Sequence, residues 1–103
     1  MGHEMNSQER IMHIVEILAG KELMGMMNKD IATRLKVSAV AVCRDIAILH
    51  KLDWVEAAPQ GGYRLTPHFA EFSKTIARGF QQARLNLTAE EDRYSGNKER
   101  TSI

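Results

Sequence analysis

The chain has a single cysteine and no long hydrophobic run, and both absences narrow the classes of protein to which it can belong. Cys43 has no second cysteine with which to form an internal disulfide, which favours a reducing compartment. No apolar run approaches the ~18 residues of a membrane span. The first residues also lack the basic and apolar regions of a signal peptide. We therefore expect a cytoplasmic protein with no membrane partner.

The sequence patterns that usually accompany catalysis are also missing. Neither a phosphate-binding glycine loop nor a Gly-x-Ser-x-Gly motif is present. Cys43 has no evident His–Asn partners, and metal-ligand spacing is not found among the four histidines, His3, His13, His50 and His68. We expect no enzymatic activity, no metal and no cofactor.

The residues that are present have the composition of an ordinary folded domain. The chain has 103 residues, of which 44% are hydrophobic and 26% charged, enough for one compact domain. The net charge is only +1, yet nine cations face five anions between Asn28 and Arg84, and the two ends are acidic. A basic middle fits a surface that faces DNA. A mixed solvated surface explains the same counts equally well.

The N-terminal segment has the pattern of a capped amphipathic helix. Asn6 and Glu9 have the spacing of a capping box, and Gly20 is a natural stop, which together predict a helix over 7–19. The residues over 21–27 follow, and we predict a short strand there that pairs with a later hairpin.

Two further helices are predicted close together. Asn28 is expected to cap a helix over 29–36, and Ser38 to cap another over 39–52. The buried face of the second of these is predicted from its apolar spacing as Val42, Ile46 and Leu49. Two short helices joined by so short a turn form a helix-turn-helix pattern.

A hairpin and a last helix complete the predicted fold. Two strand-like runs flank Pro-Gln-Gly-Gly, which predicts a hairpin, or wing, over 54–66. Thr66 is expected to cap a fourth helix that runs to about Leu85. Its apolar stripe is expected partly to pack on the first helix and partly to form a two-fold dimer interface through Phe69, Phe72, Ile76 and Phe80.

The predicted fold class is mainly α with a small β-hairpin, as a winged helix-turn-helix with a three-helix core, a wing and a long C-terminal helix. Residues 1–6 are expected to be flexible, and the domain to span 7–85. The polar residues over 86–103 offer few apolar groups to offset the entropy of ordering, which predicts a disordered tail.

This order of elements resembles the N-terminal DNA-binding domain of IclR-type transcriptional regulators over roughly residues 9–77. The family has an arginine within its recognition helix, apolar residues at the two following core positions and an aromatic–valine pair that opens the wing. The matching residues are Arg44, Ile46, Leu49, Trp54 and Val55. The Arg44–Asp45 pair also resembles DeoR-type regulators.

The chain departs from the IclR pattern in three places. Asp53 stands where the family usually has glycine, although aspartate tolerates a left-handed φ. Apolar residues over 39–41 replace the polar residues with which the family's recognition helix usually begins. The family's larger effector-binding domain does not follow. The resemblance therefore implies a stand-alone DNA-binding domain with no small-molecule effector.

The segment over 39–52 is the predicted recognition helix, because its N-terminal half would enter the major groove of DNA. Arg44 is expected to contact a guanine or a phosphate, with pairing to Asp45 or Glu56 as the alternative. Val40 is expected either to touch a thymine methyl or to fill the core beneath the second helix. The predicted outward face carries Ala39, Val40, Cys43, Arg44 and Ala47, with Ala41 at its margin.

Phosphate contacts are predicted from Ser38 and from the cations that flank the turn, Lys29, Arg34 and Lys36. Ordinary solubility is the alternative role of these cations. In the wing, Gln60 and Arg64 are expected to reach the minor groove or the backbone.

Together these features predict a sequence-specific regulator of transcription that binds double-stranded DNA as a homodimer, more readily a repressor than an activator. Such a protein would be cytoplasmic and associated with the nucleoid when bound. The same sequence also fits an architectural factor for replication, recombination or transposition. It fits a winged helix that docks another protein through its apolar face over 39–41 as well.

Overall fold

The computed structural model describes residues 5–96, which form four helices and one two-stranded antiparallel sheet. The elements in chain order are α1 (Ser7–Leu18), α2 (Asn28–Leu35), α3 (Ala39–Lys51), β1 (Val55–Ala57), β2 (Tyr63–Leu65) and α4 (His68–Ser95). The fold is thus mainly helical with one small hairpin, as predicted. None of the described helices is long and apolar enough to cross a membrane.

The chain divides after Phe69 into two units, and the first unit contains the hydrophobic core. α1, α2 and α3 each turn one apolar face towards the others, and the hairpin closes the cluster with Val55 and Leu65. The buried helical residues are Ile14, Leu18, Ile31, Ala32, Val42, Ile46 and Leu49. Each fully buried aliphatic side chain contributes about 1.5–3 kcal/mol, so these few residues supply most of the drive for folding.

Local hydrogen bonds explain where the helices begin. At α1, Asn6 accepts from the backbone N–H of Glu9, while the Glu9 carboxylate accepts from the N–H of Asn6, both at 2.9 Å. The predicted capping box is therefore confirmed. At α3, the Ser38 hydroxyl accepts from the N–H of Ala41 at 3.1 Å, so this predicted cap is confirmed as well.

The predicted cap of α2 is wrong. Met27 occupies the N-cap position and makes no side-chain cap, and Asn28 is the first helical residue. The Asn28 amide instead lies 3.3 Å from the Cys43 sulfur on α3. The side chain of Asn28 therefore joins α2 to α3 rather than closing the end of its own helix.

The sheet pairs β1 with β2, with Val55 opposite Leu65, Glu56 opposite Arg64 and Ala57 opposite Tyr63. The third strand predicted over 21–27 is reduced to a single bridge between Met26 and Tyr63, held by two backbone bonds of 2.9 Å. This bridge ties the segment before α2 to the hairpin.

A buried ion pair joins α1 to α3. Arg10 donates to both carboxylate oxygens of Asp45, through Nε to Oδ2 and through Nη2 to Oδ1 at 3.0 Å. The side chain of Asp45 is 2% exposed and that of Arg10 is 15% exposed. The bond to Asp45 raises the pKa of Arg10. A carboxylate this deep is tolerated only when it is paired and hydrogen-bonded.

α4 is longer than the sequence predicted. Thr66 accepts from the N–H of His68 at 3.2 Å, which confirms the predicted cap. The helix then continues to Ser95 rather than ending near Leu85. The disordered tail predicted over 86–103 is therefore wrong for 86–95, where helical ion pairs such as Arg93–Glu90 stabilise the backbone. Residues 97–103 and 1–4 lie outside the described part of the chain.

Asp45→Asn should lower the free energy of unfolding by about 3 kcal/mol, because it leaves the Arg10 charge without its partner. Urea unfolding followed by the fluorescence of Trp54 measures this. The matched control is Glu56→Gln, which breaks the more exposed Arg64–Glu56 pair and should cost less than about 1 kcal/mol. Equal losses for the two variants would contradict a special role for the buried pair.

Gly62→Ala, in the hairpin, should destabilise the folded protein more than Gly20→Ala, just after α1, does. Both glycines have a positive φ, 74° and 93°, so each substitution costs about 1–2 kcal/mol of backbone strain. At Gly62 alone, the added Cβ also collides with the backbone of Met26 and Met27, whereas at Gly20 it meets nothing within 4 Å. We expect a further loss of about 1–3 kcal/mol at Gly62. Similar losses for the two variants, measured by thermal unfolding, would show that the bridge does not constrain the hairpin.

Candidate nucleic-acid interface

The candidate interface is built on α2, α3 and the three-residue turn between them. α2 ends at Leu35, and Lys36 then adopts a left-handed conformation with φ 60° and ψ 44°. The backbone N–H of Lys36 bonds back to Thr33 and that of Val37 to Ala32, at 3.3 and 3.0 Å. α3 then begins at Ala39 under the Ser38 cap. This compact turn fixes α3 against α2 and leaves the N-terminal half of α3 accessible.

α3 has two faces of different character. Its inner face carries Val42, Asp45, Ile46 and Leu49, all buried. Its outer face begins with Ala39 and Val40, and Val40 is 65% exposed. Of the two alternatives for Val40, the core position is therefore wrong. Cys43 and Arg44 are exposed on the same face, while Ala41 is half-buried at its margin.

Arg44 does not pair with Asp45 or Glu56, the two residues that were its alternative partners to DNA. Asp45 is occupied by Arg10, and Glu56 by Arg64. Among the described residues, the guanidinium of Arg44 makes no ion pair or hydrogen bond. Its five donors therefore remain available for an external acceptor.

The cations near the turn share this availability. Lys29, Arg34 and Lys36 are exposed, and within residues 5–96 none of their side chains has an ion-pair partner. The segment 28–44 contains these three cations and Arg44 but only one anion, the exposed Asp30. By contrast, the cations Arg10, Arg64, Lys74 and Arg93 are each paired with an acidic residue. α2, the turn and the start of α3 thus carry four cations without an ion-pair partner among the described residues, as do Lys21, Lys51, Arg78 and Arg84 elsewhere.

The Asn28–Cys43 contact ties the start of α2 to the middle of α3. Lys29 follows directly on the same helix and is exposed. The Asn28 Oδ1 atom is buried without a hydrogen-bond partner among the described residues. Of the two polar atoms of the Asn28 side-chain amide, only Nδ2 makes a hydrogen bond in the described part of the chain, to the Cys43 sulfur.

Of the two hairpin residues predicted to contact DNA, Gln60 is available for such a contact, whereas Arg64 is bonded within the chain. Gln60 is exposed at the tip, next to Gly61, which has a φ of 108°. Arg64 instead donates through Nε to the Glu56 carboxylate at 2.8 Å and through Nη1 to the Glu22 carbonyl at 3.4 Å. This engagement within the chain argues against a DNA contact by Arg64 and indicates that it stiffens the hairpin.

The predicted dimer stripe divides into two parts. Phe69 is half-buried and packs against the Trp54 ring, with centroids 4.6 Å apart, so it contributes to the core of the first unit. Phe72, Ile76 and Phe80 are 57%, 52% and 67% exposed. The expectation that these three side chains pack into the core is wrong, and they lie on the surface of α4.

Sequence reasoning missed the Arg10–Asp45 pair, although a signal was present. Asp45 falls inside the apolar stripe of α3, and Arg10 precedes Ile14 and Leu18 at intervals of four on α1. A charged residue within each of two buried stripes predicts a pair between them. The missed pair matters for the interface, since it supports the same orientation of α3 as the buried apolar residues Val42, Ile46 and Leu49.

Comparison of the chain with protein-family models, with curated proteins and with solved structures finds no match. The case for a nucleic-acid interface therefore rests on the geometry and chemistry of these residues alone.

Proposed function

We propose that the protein is a winged helix-turn-helix that binds double-stranded DNA in a sequence-specific manner. α3 enters the major groove, and the β1–β2 hairpin is the wing that contacts the backbone or the minor groove. The observation that carries the proposal is the outer face of α2 and α3, with its exposed Arg44 and its unpaired cations.

The dimensions of the elements support this docking. An α-helix with its side chains is about 10–12 Å across, and the major groove of B-form DNA is about 12 Å wide. The outer face of α3 begins with Ala39 and Val40, which are small enough for the helix to approach base edges closely. Their methyl groups suit contact with the methyl group of thymine.

Arg44 is the proposed base-reading residue. A guanidinium that projects from the first two turns of a groove-bound helix can donate to O6 and N7 of guanine, a contact that discriminates by about 1–3 kcal/mol. Lys29, Arg34 and Lys36 are the proposed phosphate contacts, and Ser38 adds a helix N-terminus near the backbone. These contacts set affinity and register, whereas Arg44 and the methyl groups set specificity.

The proposed biological role is transcriptional regulation, and repression in particular. A protein that occupies an operator blocks polymerase by its position alone, so repression requires nothing beyond the DNA contact. The IclR-like pattern around Arg44, Trp54 and Val55 is compatible with this role.

The test begins with selection of bound duplexes from a random library by the whole chain, followed by measurement of affinity as salt is varied. Enrichment of one motif, with tight and salt-dependent binding, supports the proposal. Salt-dependent binding without an enriched motif would instead favour an architectural factor. No binding at low salt would overturn both and favour a protein-docking surface, for which the exposed Val40 is the specific argument.

Arg44→Ala should reduce affinity for the selected duplex by about 5- to 150-fold, the equivalent of 1–3 kcal/mol, and relax the motif at one position. The fold should be unaffected, because the side chain has no partner within residues 5–96. Arg78→Ala, which removes the same charge from α4, is the matched control and should change affinity little. If both variants bind as the wild type does, α3 is not the recognition helix.

Lys36→Ala should weaken binding to selected and unselected duplexes by the same factor. Removal of one phosphate contact also lowers the slope of log K against log salt by about 0.9. Titration of both duplexes between low and physiological salt measures the two effects. An unchanged slope would show that Lys36 does not contact a phosphate.

A further inference from the structure

α4 is a long helix with no buried residue. It runs for 28 residues, His68–Ser95, which corresponds to about 42 Å. Its side-chain contacts beyond Phe69 include local pairs such as Lys74–Glu71 at 3.8 Å and Gln82–Asn86 at 3.0 Å. Such pairs contribute only about 0.2–0.5 kcal/mol each. Since most helices depend on the packing of an apolar face, the length of α4 calls for a packing partner.

Most of the large exposed apolar side chains of α4 lie on one stripe. At 100° per residue, Ile76, Phe80, Ala83, Leu87 and Tyr94 fall within about 60° of one another around the helix. The four larger members are 52%, 67%, 64% and 82% exposed, in chain order. Leu85, 59% exposed, points the other way. The stripe continues through Leu87 to Tyr94, beyond Leu85, where the sequence predicted that the helix ends.

The charges of α4 are unevenly divided between its two halves. The N-terminal half, 68–85, has the cations Lys74, Arg78 and Arg84 and one anion, Glu71. The C-terminal half, 86–95, has three consecutive anions over 90–92 and one cation, Arg93. Two parallel copies of this helix would place like charges side by side. Two antiparallel copies aligned end to end instead bring the anions over 90–92 close to Lys74 of the partner helix and keep the two acidic clusters apart.

We propose that α4 pairs with α4 of a second copy of the chain as an antiparallel helix pair, joined through the stripe of Ile76, Phe80, Ala83, Leu87 and Tyr94. This pairing is independent of the proposed DNA binding. Alignment of the two helices end to end places Phe80 against Ala83 and Ile76 against Leu87, so that large side chains face smaller or aliphatic ones. Gly79, beside the two-fold axis, has no neighbour within 4 Å of an added Cβ in the single chain, and it permits close approach there.

The apolar area is sufficient for a stable dimer. Fully covered aromatic side chains bury about 150–250 Å² each, and Phe80 and Tyr94 are joined by Ile76 and Leu87. The standard interface buries about 800 Å² per partner, and two fully overlapping helices of this length approach that value. Like-charge repulsion disfavours the parallel alternative at every ionic strength below full screening.

Sedimentation equilibrium of the whole chain without DNA tests the pairing. We expect a dimer, and we expect Phe80→Glu to weaken dimerisation by at least about 30-fold, the effect of a typical hot-spot residue. Leu85→Glu is the matched control on the opposite side of α4 and should leave the dimer intact. Trp54 fluorescence verifies that the first unit of each variant is folded. A monomeric wild type, a larger oligomer, or equal effects of the two variants would overturn the proposal.

Cysteine cross-linking tests the orientation. In a Cys43→Ser background, chains with Ser73→Cys are mixed with chains with Glu90→Cys and oxidised. The antiparallel pair places position 73 opposite position 90, so the mixture should form a mixed disulfide and neither chain alone should cross-link efficiently. A parallel pair would cross-link each chain to its own kind, and that result would refute the proposed orientation.

Discussion

The ion pair between Arg10 and Asp45 fixes the orientation of α3 together with the apolar residues of its inner face. A carboxylate that is 2% exposed would be several kcal/mol less stable without its partner, so turning Asp45 away from Arg10 on α1 would destabilise the folded protein. Arg44 precedes Asp45, about 100° around the helix, and is thereby directed to solvent. The two adjacent opposite charges have opposite roles, because the inner one helps to orient the helix and the outer one is available for a ligand.

The surface formed by α2, the turn and the start of α3 is basic because its cations lack acidic partners, although the number of cations in the chain is ordinary. The chain as a whole is nearly neutral, and Arg64, Lys74 and Arg93 are engaged with acidic neighbours. Between residues 5 and 96, the cations on α2, the turn and the start of α3 have no such neighbours. A local field of this kind attracts a polyanion even when the net charge is close to zero. The hairpin adds a rigid edge to the same unit, held by the Met26–Tyr63 bridge and the Arg64–Glu56 pair.

The two proposals assign different tasks to different parts of the chain. The first unit contains the core and the proposed DNA-reading helix, whereas the proposed dimer needs only α4. A two-fold dimer would present two copies of α3, and paired half-sites multiply specificity because both must match at once. Under the two proposals, the apolar stripe of α4 and the outer face of α3 would serve one regulatory function through separate surfaces.

Local sequence signals were sufficient for the positions of α1, α3, the hairpin and the start of α4, because capping boxes, Ser and Thr caps and glycine turns act over three or four residues. The left-handed φ of 67° at Asp53 was foreseeable for the same reason. The position of Asp45 in a buried stripe called for a partner, but only the tertiary structure revealed that Arg10 occupies that place, that Val40 is exposed and that Arg64 is engaged within the chain. Each of these depends on residues that lie far apart in the chain or on the packing of neighbouring elements, and local pattern does not encode which of several possible partners a charged side chain meets. The extension of α4 to Ser95 was hidden too, because its polar composition indicates disorder, whereas its pairs at i, i+3 and i, i+4 support a helix.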